Sequence, residues 1–138
     1  MATVKPSYAA QSTIISTELD SLANTSAATC TSEIDNTSNL YIEGLLDCYF
    51  NGAGATTGSV AVYALCGNAT GELSTTAKTS NMKYLGSVEL NGTTAVRKQL
   101  QITDIPKYWK VRCINNSGAA LAASGNLIKF TGINYTDA

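Results

Sequence analysis

The chain has 138 residues, nine basic and ten acidic side chains and no histidine, for a net charge of −1. That length suits one domain with a sizeable core, and scattered cations in near balance exclude a protein that grips nucleic acid through its phosphates. No run approaches the ~20 apolar residues of a membrane helix, so neither a nucleic acid nor a membrane is expected as partner. Charged residues make up only 14% of the chain, against about 25% in an average domain. The polar surface is therefore drawn from Ser, Thr, Asn and Gly, which suits burial against neighbouring protein.

The first ten residues, "MATVKPSYAA", lack the apolar core of a signal peptide and are interrupted by Pro6, so assembly in a cytoplasm is expected. Residues 1–10 read as an extended arm ahead of a β domain spanning 11–138. "QSTIISTELDSL" (11–22) can be written as a short helix, but its Thr and Ile favour a strand. The polar stretch after it, as far as residue 38, reads as a loop.

In "NLYIEGLLDCYFN" (39–51), Leu40, Ile42, Leu46, Cys48 and Phe50 share one parity and predict the buried face of a strand. Glu43 and Asp47 fall on its wet face. "NGAGATTG" supplies a turn, and "SVAVYALCGN" (59–68), apolar on both parities, predicts a central strand covered on both sides. Asn91-Gly92 is the strongest hairpin signal, pairing "MKYLGSVEL" with "AVRKQLQI", where Val96, Leu100 and Ile102 point inward. Pro106 marks a corner. "YWKVRCI" (108–114) then alternates, with Trp109, Val111 and Cys113 inward and Tyr108, Lys110 and Arg112 outward. "NNSGAALAASGN" is a tight connection, and "LIKFTGINYT" (127–136) returns as the last strand. Seven or eight strands with no convincing helix predict a single all-β domain, an antiparallel β-sandwich or jelly-roll-like fold with an N-terminal arm.

Reacting groups are scarce. The carboxylate pairs Glu18/Asp20, Glu33/Asp35 and Glu43/Asp47 fit solvated surface better than acid–base work. No histidine serves a nucleophile and no S-x-x-K stretch occurs. "NGAGATTG" lacks the lysine and helix of a phosphate loop, and Asp104 reads as a turn residue rather than a calcium ligand. The widely spaced Cys30, Cys48, Cys66 and Cys113 are expected as buried thiols. Tyr41, Tyr49, Tyr63, Tyr108 and Trp109 would form a sugar-stacking platform only if exposed, and Trp109 has the parity of the core. Six Asn-X-Ser/Thr triplets, at Asn24, Asn36, Asn68, Asn91, Asn115 and Asn134, follow from the composition. The expectation is a non-enzymatic protein without metal or cofactor.

The segment "DIPKYWKVRCINNSGAALAASGNLIKFTGINYTDA" (104–138) resembles the closing segment of small virion proteins of tailed bacteriophages. Among these, size and β character are most similar to head decoration, or cement, proteins. The resemblance implies a jelly-roll-like module, often a homotrimer, that clamps the major capsid protein at the outer surface of the virion. Tail, baseplate or fibre association, or a carbohydrate-binding module, are the alternatives. Contact residues expected on this reading are Val4, Lys5, Pro6 and Tyr8 of the arm, with Tyr108, Lys110 and Arg112 on the outer face of their strand.

Overall fold

The computed structural model describes residues 3–71 and 82–137, and within them the chain is all-β, built from two packed antiparallel sheets. The strands are β1 (Val4–Tyr8), β2 (Ser12–Ile15), β3 (Ala27–Thr29), β4 (Ile34–Asp35), β5 (Glu43–Phe50), β6 (Ser59–Gly67), β7 (Met82–Glu89), β8 (Val96–Thr103), β9 (Tyr108–Asn116) and β10 (Leu127–Asp137). In the first sheet the order is β1-β10-β5-β8, with β2 beside β1 on the same flank of β10. In the second the order is β3-β9-β6-β7, with β4 beside β3 along β9. Each edge made of two short pieces acts as one broken strand, so eight strands are present in effect.

The pairing is nested. β6 pairs with β7, β5 with β8, β3 and β4 with β9, and β1 and β2 with β10. One long hairpin has been rolled until its two arms face each other, which is a jelly roll. With each broken edge counted as one strand, every connection except that between β6 and β7 therefore crosses from one sheet to the other.

That topology overturns the hairpin expected at Asn91-Gly92. Asn91 and Thr94 do bridge, and Gly92 has φ 56°, so the tight turn forms as its residues predict. Its flanking strands nonetheless separate, β7 into the second sheet and β8 into the first. The turn chemistry is local, whereas the choice of sheet is made by the rolled pairing.

Side-chain alternation places the core as expected in most strands. Leu46, Cys48 and Phe50 meet Val60, Val62, Trp109, Val111 and Cys113 across the sandwich, all essentially without exposed surface. Each such side chain contributes about 1.5–3 kcal/mol relative to an exposed position. Leu40 and Ile42, expected inward, are 67% and 53% exposed, because β5 starts only at Glu43. Leu40 has a positive φ of 52° in a loop closed by Asn36, whose side chain accepts from Tyr41 N and donates to Tyr41 O. Asp47, expected wet, is buried, because Gln11 Nε2 at 2.8 Å and Arg97 at 3.4 Å cover its two oxygens.

The loop expected before residue 39 contains β3 and β4, whose partner β9 supplies the order that the local sequence lacks. Residues 11–22 yield only the four-residue strand β2. The N-terminal segment Val4–Tyr8 lies along the C-terminal end of β10, with all five residues exposed.

Four of the crossing connections gather at one end of the sandwich. There Asn115 Nδ2 donates to Leu22 O and Ala119 O, while its Oδ1 accepts from Ser117 N and Oγ. Asn126 Oδ1 accepts from Asn51 N, and its Nδ2 donates to Asp20 and to Ala122 O. Backbone bonds join Ala53 to Ala120, Leu121 to Leu22 and Ala122 to Asn51. The middle of the "SGAALAASG" run, Ala120 to Ala122, is held by backbone bonds to two other connections of the same chain. At Gly58 an added Cβ would collide with Asn116 O. The expected tight connection is thus an internal junction, with Leu121, Ser117 and Asn126 buried inside it.

Candidate functional site

Two features stand out on the flank where both edge strands are broken. The first is a face. Directly opposed residues of an antiparallel pair point the same way, and the register sets Val4 against Asp137, Pro6 against Tyr135 and Tyr8 against Ile133. Val4, Pro6, Tyr8, Ile133, Tyr135 and, at its end, Asp137 therefore share the outer face of the first sheet, with Lys5 and Ser7 on the opposite side. Ile133 is buried beneath, but Val4 is 60%, Tyr8 62% and Tyr135 47% exposed. The Tyr135 hydroxyl donates to Glu43 on the neighbouring β5. That bond, with the negative charge behind it, raises the phenol's pKa and ties the end of the side chain to β5. Farther along the same face Tyr49 lies between two cations, Arg97 at 4.9 Å and Lys129 at 5.3 Å from its ring.

The second feature is a cleft of about 260 Å³ between the two sheets. Its rim is Ser12 from β2 on one side and Ile34, Asp35 and Asn36 on the other; Tyr41, Phe130 and Trp109 form wall and floor. Gly44 and Gly132 are directly paired across β5 and β10. A Cβ on the first would strike the Phe130 ring and one on the second the Tyr41 ring, so the bare backbone is what seats these aromatics. The rings stack edge to face, Tyr41 on Phe130 at 6.0 Å and Trp109 on Phe130 at 5.1 Å. Trp109 is fully buried, and its Nε1–H has no hydrogen-bond partner among the described residues; a buried donor left unpaired costs about 1–3 kcal/mol. At the rim, Asp35 Oδ1 accepts from Thr37 N at 2.7 Å and Thr37 Oγ1 at 2.6 Å. The Thr37 hydroxyl and N–H hold the Asp35 carboxyl below its usual range, aided by Lys107 nearby.

The contact residues expected from sequence divide between two surfaces. Val4, Pro6 and Tyr8 join the exposed face just described, together with Tyr135, which the sequence reading missed. Its signal was its place in an alternating strand, detectable only once the partner strand was known. Tyr108, Lys110 and Arg112 lie on β9, inside the second sheet. Tyr108 and Arg112 are half-buried, Arg112 donating to Thr29 Oγ1. Lys110 is a correction: it is buried, its Nζ directed to Thr31 O, because β3 and the loop after it flank β9. The aromatic platform does not assemble either. Tyr49 lies on the first sheet's outer face, Tyr63 packs on Tyr84 across the second, and Tyr41 and Trp109 face the cleft.

Carboxylates serve the structure. Burial alone would raise the Glu18 pKa, but backbone N–H groups of Thr17, Ser16 and Thr31 outweigh it and hold the carboxyl low. The four cysteines are free, and Cys30, Cys48 and Cys113 are buried. Burial pushes the Cys48 thiol up to about 12, with Asp47 adding to the rise, and Cys113 and Cys30 are raised chiefly by burial. Thiols in that state are poor nucleophiles. Among the described residues no group of His, Cys, Asp and Glu is placed to hold a metal ion.

Compared with known proteins, the sequence matches no family model, and no curated protein is significantly similar to it.

Proposed function

We propose that this protein is a non-enzymatic structural component of a tailed-phage virion that binds the outer surface of the capsid and stabilises it. The observation that carries the reading is the exposed apolar face made by Val4, Pro6, Tyr8 and Tyr135. Exposed apolar and aromatic side chains at the centre, with the charged Glu43 and Asp137 beside them, have the composition of a contact core with a polar rim rather than of an ordinary wet surface. The resemblance of residues 104–138 to phage virion proteins supplies the partner, the major capsid protein. The jelly roll is compatible with such a role without requiring it. Repetition over a lattice, and a homotrimeric arrangement of the kind the resemblance implies, would multiply a weak single contact into firm attachment.

The test is sedimentation with capsids lacking the protein, comparing wild type with the Tyr8→Ala/Tyr135→Ala double variant. Both rings are exposed, so the variant should melt within a few degrees of wild type while capsid binding falls at least tenfold. Equal binding by the two proteins would refute the assignment of this face. Immunogold label on the tail with none on the head would replace the capsid reading by a tail, baseplate or fibre role.

A further inference from the structure

The cleft between the broken edges is not used by the proposed docking face, and its chemistry is specific. We propose that it is a binding site for a single neutral sugar ring. Its volume of about 260 Å³ falls just under the roughly 300–1,000 Å³ of pockets for drug-sized ligands, so one ring with its substituents is the fitting size. Among the described residues no lysine or arginine lines it, and Lys107, close to Asp35, faces that carboxylate rather than a free anion site, which disfavours phosphates and carboxylates as ligands. What lines it instead is a combination of hydroxyl, amide and carboxylate at the rim, Ser12, Asn36 and Asp35, over the aromatic carbons of Tyr41, Phe130 and Trp109. A sugar offers the matching pair of surfaces, hydroxyl groups around an edge and C–H groups across a face.

The rim is preorganised. Asp35 is held by Thr37 through one oxygen only, and Asn36 is locked by two bonds to the Tyr41 backbone. Neither group has to be immobilised when a ligand arrives, which lowers the entropic cost of binding. The indole N–H of Trp109 finds no acceptor among the described residues. Trp109 lines the cleft, through which a ligand acceptor can approach that ring.

Trp109 is the sole tryptophan of the chain, so its fluorescence reports on the cleft alone. The experiment titrates the full-length protein separately with glucose, galactose, mannose and N-acetylglucosamine. A saturable change in emission with at least one of them, in the millimolar range usual for one ring, is the expected result. Ser12→Phe, a substitution at an exposed rim position, should weaken that response at least tenfold without shifting the melting temperature. Asp35→Ala, which removes a rim acceptor without filling the cleft, should weaken it severalfold. Absence of a saturable response to all four sugars would overturn the proposal, as would a response that both variants leave intact.

Discussion

The two flanks of the sandwich are built on opposite plans. On one, β7 and β8 are eight-residue edges, β7 with one bulge at Leu85, and long edges invite further strands to add. Each is closed by a lysine from the other sheet. Lys98 Nζ donates to Ser87 O on β7 at 2.8 Å, and Lys83 Nζ donates to Thr103 O on β8 at 2.6 Å. On the other flank, the edges are broken into β1 and β2, and into β3 and β4, none longer than five residues. Interruption protects these edges without cations, since a short strand is a poor template. It also leaves the space between sheets that becomes the cleft. Charge is spent where an edge is continuous, and recognition surface forms where it is not.

The contrast can be broken at its strongest point first. Trp109 is the floor of the open flank and belongs to the core. Trp109→Ala should cost about 3–5 kcal/mol, as aromatic truncations in packed interiors do. A melting temperature near that of wild type would mean the cleft penetrates far deeper than the packing indicates. Next comes the closed flank. Lys83→Ala/Lys98→Ala should cost only about 1 kcal/mol, because both bonds are solvent-exposed. Its larger effect should be association through the uncovered edges, seen by light scattering as growth with protein concentration. A variant scattering like wild type at all concentrations would show that the lysines do not guard those edges.

The smallest effect sharpens the contrast at the rim of the open flank. Glu18 ties Ser16 and Thr17 to Thr31 across the two broken edges, and Glu18→Gln should cost below about 1 kcal/mol at neutral pH. The carboxyl is held below its ordinary value in the folded chain. Its contribution is therefore complete above the unfolded value near 4.3 and disappears as pH falls through the folded one. Melting temperatures of wild type and variant should converge between about pH 5 and pH 3. A gap that stays constant across that range would show the carboxylate charge is not what holds the rim.

Alternation was enough to find β5, β8 and β9 and to assign Trp109, Val111 and Cys113 to the core, and a continuous apolar run was enough to find β6, because both signals are written in neighbouring residues. Turn chemistry, equally local, identified the turn at Asn91-Gly92, whereas Val4, Pro6 and Tyr8, read as part of an arm, pair as β1 with the end of β10. It was silent on β3 and β4, whose few residues are ordered by β9 rather than by their own propensity. It also misplaced Leu40, Asp47 and Lys110, whose exposure is decided by a loop or by partners more than 30 positions away.

The sequence by itself determined that this is an all-β protein with a packed aromatic interior, since pattern, turn residues and scarcity of charge are local properties. Tertiary structure alone decided that β7 and β8 part into different sheets, that Tyr135 joins Tyr8 on one face, and that Ser12 and Asp35 meet across a cleft. The physical reason is that burial of the rolled hairpin's two faces selects one pairing of distant strands, and that pairing settles which side chains become neighbours.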